Sequence, residues 1–175
     1  MKKRLTLLLL LLVCTTSLFA LQPGERLPEV TLQGNSGGMS DDTPWRSSSL
    51  KGKVHVLLYM DPDERKKAMP FLDRLNQADL PKDGYSTVAI VNLAATWMPN
   101  AVLKAILGRK QKELRNTQFI FDKNKTLIKA WGMKDDASNV IVLDKQMRVL
   151  FFKSGVLSKQ EKEKLFRLIR SHLDD

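Results

Sequence analysis

Five short apolar runs alternate with stretches of helical spacing, and this alternation limits the chain to few architectures. Val54–Met60 (VHVLLYM), 86–93 (STVAIVNL) and 117–121 (TQFIF) are strand-length segments rich in β-branched and aliphatic residues, as expected of strands covered on both faces. Asn139–Leu143 (NVIVL) and 148–152 (RVLFF) follow, separated by 144–147, which predicts a hairpin with a four-residue loop. A short strand is expected at 29–32. Residues 33–49, with Gly34, Gly37, Gly38, Pro44 and five serines, read as a loop or wide hairpin.

Between the strands, Asp61 is expected to act as a helix N-cap, with Pro62 first in the helix and Glu64 third, returning a hydrogen bond to the cap. Ala68, Leu72 and Leu75 form the buried stripe of that helix, and Pro70 should kink it. Pro99 starts a second helix, with Val102, Leu103, Ile106 and Leu107 inward and Lys104, Arg109, Lys110 and Lys112 outward. A short helix over 127–131 ends at Gly132. Ser158 and Glu161 form a capping box opening the last helix, whose inner face carries Leu165, Leu168, Ile169 and Leu173. Alternation closed by a hairpin and a helix gives an α/β layer structure with a mixed central sheet flanked by helices.

Ahead of this domain, residues 1–20 have the layout of a secretory signal peptide. Lys2, Lys3 and Arg4 precede a ten-residue apolar run, half of what a membrane span needs, and small and polar residues lead to Ala20. Cleavage there leaves a domain over 21–175 with no stable membrane anchor. It also removes three cations and no acid, lowering the formal charge from +10 to +7. The only cysteine, Cys14, departs with the leader. One cysteine cannot form an intrachain disulfide or a zinc site built on two thiolates, and two histidines do not make a multi-histidine metal centre. No metal and no cofactor are expected.

The element order resembles the thioredoxin fold of secreted thiol oxidoreductases and peroxiredoxins. The phrases that carry the likeness are 24–32 (GERLPEVTL), 50–59 (LKGKVHVLLY), 69–72 (MPFL), and KTLIKAWGM at 125–133 with VIVLD at 140–144. The short chain with its leader and the phrase DPDERKKAMPFL resembles the YtfJ family of bacterial periplasmic proteins, whose function is unassigned. Counting back from Pro70, the resemblance places the two thiol positions of a Cys-x-x-Cys motif on Pro62 and Arg65, and the usual cis-proline near Ser138. None of these residues can do thiol chemistry, so thiol–disulfide and cysteine-peroxidase activities are excluded.

Several groups remain as candidates. Asp61, Asp63 and Glu64 are the densest acidic cluster, and could serve as general acid/base groups or a cation site, but their order fits helix capping position by position. Carboxylates there would also make this helix end poor at binding anions. His55 reads as a strand histidine and His172 as a helix-end residue, while Trp45, Trp97 and Trp131 read as packing anchors. The basic stripe of Lys104, Arg109, Lys110, Lys112 and Arg115 has no interleaved aromatics, and export would keep it from nucleic acid. The expectation is a periplasmic, non-catalytic domain that binds an envelope protein, a peptide or a small ligand. Its binding residues would be Asp61, Pro62, Asp63, Glu64, Arg65, Ser138 and Asn139. The alternative is a cysteine-independent enzyme using the acidic loop; a DNA-binding regulator would require the leader to be retained.

Overall fold

The computed structural model describes residues 20–114 and 116–173, and of Arg65 and Lys67 the backbone alone. The expected leader (apart from Ala20), Cys14 within it, and Arg115 of the basic stripe lie outside the described residues.

The strands are β1 (Thr31–Leu32), β2 (Gly37–Met39), β3 (Trp45–Arg46), β4 (Val54–Met60), β5 (Tyr85–Asn92), β6 (Thr117–Asp122), β7 (Asn139–Leu143) and β8 (Val149–Ser154). The helices are α1 (Arg65–Gln77), α2 (Asn100–Glu113), α3 (Thr126–Ala130) and α4 (Lys159–Leu173). Six strands form one mixed sheet in the order β2-β6-β5-β4-β7-β8, and β1 pairs with β3 separately. β4, β5 and β6 are parallel; β7 runs antiparallel to β4 and forms the closing hairpin with β8.

Because side chains alternate across a strand, each central strand feeds two apolar layers. Val56, Leu58 and Met60 meet Phe71, Leu72 and Leu75 of α1 and Leu165 and Ile169 of α4. Leu57 and Tyr59 face the other way, toward Leu127 of α3, Trp131 and Trp45. The two tryptophans pack edge to face at 6.5 Å, and Trp131 Nε1 donates to the Pro28 carbonyl at 3.0 Å. These two are packing anchors as expected, but Trp97 is 87% exposed. The Ser158–Glu161 capping box forms in both directions, at 3.2 and 2.7 Å.

Two expectations are refined in ways that matter later. Residues 33–49 form a wide hairpin, one of the two forms expected, with β1 antiparallel to β3, and within it β2 completes the sheet edge against β6. The glycines that suggested a loop instead allow close approach: a Cβ on Gly37 would lie 1.9 Å from the Phe121 carbonyl oxygen, and its φ is +127°. The second difference is in α2, where only Leu103 of the four expected inward residues is buried, and Val102 is 47% exposed. α2 meets the core through Leu103 and the half-buried Leu107, and these two line an open groove beside α1 together with Ile106. The basic stripe breaks up as well: Lys104 pairs with Asp42, and Lys110 with Glu113 and Asp73.

Candidate functional site

Each of the three parallel strands ends in, or is followed at once by, a polar residue. Asp61 follows β4, Asn92 closes β5 and Asp122 closes β6, with Asn92 opposite Asp122 in the ladder. The start of the antiparallel β7 lies alongside, with Asn139 opposite Tyr59. Carboxyl ends of parallel strands are where open α/β sheets usually place their ligands.

Asp61 is buried, and its Oδ1 accepts a hydrogen bond from Asn92 Nδ2 at 2.8 Å. The Asn92 Oδ1 accepts from the Ala94 N–H at 3.1 Å, which fixes the orientation of the amide. Burial raises the Asp61 carboxyl pKa above the usual carboxylate value; Asn92 opposes this, Asp135 and Asp136 add to it, and Lys125 reduces it. The capping reading of Asp61 is therefore corrected. Pro62–Glu64 is a 3-10 turn, closed by the Glu64 N–H on the Asp61 backbone carbonyl at 3.0 Å, and the α-helix proper begins three residues late. Its N-cap is Glu64, with no side-chain cap. The partner of the Asp61 carboxylate is instead the Asn92 amide, 31 residues away.

Asp122 does the capping that was expected of Asp61, at another helix. Its fully buried carboxylate accepts from the N–H groups of Asn124 (3.2 Å), Thr126 (2.8 Å) and Leu127 (2.8 Å), and from the Tyr59 hydroxyl (3.2 Å). Burial, followed by the Asp122 charge, pushes the Tyr59 phenol pKa well up. Lys125 reaches Asp135 at 2.7 Å and Asp136 at 3.9 Å, tying α3 to the loop before β7.

The remaining candidates take distinct places. Pro62 is buried, Asp63 exposed and Glu64 half-buried, while Arg65 opens α1. Asn139 is fully buried and serves the backbone, donating to the Lys134 and Ala137 carbonyls at 2.9 and 3.0 Å and accepting from Ser154 Oγ at 2.6 Å. Ser138 Oγ is buried and without a partner, beside a cavity of about 30 Å³ that has room for one water. Asn92, Asp122, Tyr59 and Lys125 escaped the sequence reading. Of these only Asp122 had a local signal, an acidic residue two before Asn124 and four before Thr126 in a turn. His55 is buried with an unpartnered Nδ1 and a pKa pushed down to about 4 by burial, which keeps the ring neutral in the strand. His172 Nδ1 lies 2.9 Å from the Leu168 carbonyl oxygen on α4.

Residues 27–172 match the family described as "Bacterial protein of unknown function (YtfJ_HI0045)". The chain belongs to the YtfJ family. The "Uncharacterized protein YtfJ" of Escherichia coli K12 is 29% identical, over 99% of this chain and 98% of that protein. Among solved structures, a protein assigned as the thiol:disulfide interchange protein DsbE of Chlorobium tepidum superposes with a TM-score of 0.63 at 18% identity, covering 88% of this chain and 99% of that one. The thioredoxin domain of a thiol-disulfide oxidoreductase from Bacteroides vulgatus superposes with a TM-score of 0.61 at 13% identity, covering 86% and 99%. At such identities the likeness concerns the fold alone: this YtfJ chain has a thioredoxin-like fold with a C-terminal hairpin and helix. The resemblance in sequence puts Pro62 and Arg65 of this YtfJ chain at the thiol positions. Pro62 is buried at the end of β4, and the loop around it is held by Asp61 and Asn92.

Proposed function

We propose that this chain is an exported, thiol-independent thioredoxin-like domain of the bacterial periplasm, which binds a ligand or partner and does not exchange disulfides. The observation that carries the reading is the buried, inert Pro62 at the first thiol position, in a sequence with no cysteine after Cys14. A carboxylate, a carboxamide and a proline cannot supply the thiolate that disulfide exchange requires. The layout of residues 1–20, three cations followed by an apolar run and small residues up to Ala20, supports export and cleavage after Ala20. The space at Ser138 has room for a single water, so a ligand of any size is better served by the larger groove lined by Pro62.

Insulin-reduction and peroxide-consumption assays on the purified protein test the chemistry. Turnover at the level of a heat-treated control is expected, and clear activity above it overturns the reading. N-terminal sequencing of protein from a periplasmic extract should start at Leu21; full-length protein in the cytoplasm would refute export.

A further inference from the structure

Between α1 and α2 lies a groove of about 550 Å³, within the range of roughly 300–1,000 Å³ usual for small-ligand sites. Its floor is the sheet face at Met60, Val91 and Phe119, and its walls carry Met69 from α1 and Leu103, Ile106 and Leu107 from α2. Unbranched methionine side chains on two sides let the lining adapt to a flexible occupant. The charges are confined to exposed or half-buried rim residues. Lys110 is compensated by Glu113 at 2.9 Å and Asp73 at 3.4 Å. Lys66 and Arg109, both exposed, line the same groove with no hydrogen bond or ion pair among the described residues. The groove is thus apolar inside and carries two uncompensated cations at its edge.

We propose that this groove binds a single-chain anionic amphiphile, with its aliphatic tail between α1 and α2 and its carboxylate held by Lys66 and Arg109. This rests on the binding-domain reading above and names its ligand class. A peptide is disfavoured by the same lining. It would bring backbone N–H and C=O groups onto Met60, Val91, Leu103 and Phe119, which offer them no strong hydrogen-bonding partner, and each such group left unpaired is costly. An alkyl chain carries no such groups, and its charged end meets the only unpaired cations on the lining.

Titration of the purified protein with hexadecanoate, below its micellar concentration, tests the assignment by methionine methyl NMR. The Met60 and Met69 methyls should shift saturably, while those of Met133 and Met147, in the opposite core layer, stay in place. Hexadecyltrimethylammonium, with the same tail and the opposite charge, should bind more weakly. In the double variant Lys66→Glu/Arg109→Glu, whose changes are on exposed side chains, hexadecanoate should weaken about tenfold or more and the cationic amphiphile should gain. Ile106→Trp, which fills the groove and leaves both cations, should block both amphiphiles. The proposal is overturned if Met60 and Met69 do not respond, if the two amphiphiles bind parent protein equally, or if the charge-reversed variant binds hexadecanoate like the parent. Any of these, in a protein that also lacks thiol activity, removes the ligand class and leaves the binding-domain reading standing. Insulin reduction would remove that reading whatever the groove binds.

Discussion

Substituting Asp122 with alanine tests whether the ends of the parallel strands are organised by one buried carboxylate. Its two oxygens accept four hydrogen bonds, three from the backbone at the start of α3 and one from Tyr59. Alanine leaves these donors without that acceptor, the Tyr59 hydroxyl and the Leu127 N–H in buried positions and the Asn124 and Thr126 N–H groups in partly buried ones. A hydrogen bond to a charged group contributes about 1.5–3 kcal/mol, but four bonds sharing one carboxylate are not additive. α3 is five residues long, and its first turn can fray to reach water. A loss of about 3–5 kcal/mol is therefore expected, the range for breaking a buried charged network by removing one partner. For a chain of this size that corresponds to a fall in Tm of roughly 6–20 °C. Asp122→Asn keeps one acceptor but turns an NH2 toward an N–H, and should lose about 1–3 kcal/mol. Tyr59→Phe, which removes one of four donors, should lose less than about 1 kcal/mol. Thermal and urea melts followed by circular dichroism measure all three. An alanine variant within about 1 kcal/mol of the parent would refute the role assigned to Asp122.

Three further outcomes are expected. The raised Asp61 pKa means that the folded protein holds this proton to higher pH than the unfolded chain, so Asp61 lowers stability as pH rises through the window above the ordinary carboxylate value. Asp61→Asn, still able to accept from Asn92, should be at least as stable as the parent at neutral pH and lose that advantage in acid; a clear loss of urea midpoint at pH 7 would contradict this. His55 behaves oppositely. The unfolded chain takes up its proton below about 6.5 and the folded protein only near 4, so stability rises with pH across that interval, and His55→Gln should flatten the rise in urea midpoints. Gly37→Ala should destabilise by about 1–3 kcal/mol from its backbone conformation alone, with the clash on Phe121 adding to this. Gly108→Ala, in α2 with no atom within 4 Å of the added methyl, should instead stabilise by about 0.5–1 kcal/mol; equal melting shifts in the two alanine variants would dispose of the argument.

The sequence by itself determined the main strands and helices and their order. Val54–Met60 and Asn139–Leu143 are strands with the bounds their apolar runs predict, and the Ser158–Glu161 box opens the last helix in both directions. These features depend on periodicity and on groups three or four residues apart, so neighbouring residues carry the information. The absence of a thiol pair was equally plain, because it is a matter of composition. Tertiary structure decided which polar groups meet. Asp61 has the local pattern of a cap, yet Asn92 takes its carboxylate, and Asp122 gains Tyr59 from 63 residues away. It also decided that Gly37 and Gly38 form a strand, because their lack of side chains counts only once Phe121 and Thr43 lie against them. The groove beside α1 is of the same kind. Val102, Leu103, Ile106 and Leu107 carry the stripe of a packed helix, but the placement of α2 fully buries only Leu103, exposes Val102, and leaves Leu103, Ile106 and Leu107 along an open groove. A carboxylate or an apolar side chain has many acceptable partners within a folded chain, and the global packing selects which of them arrives.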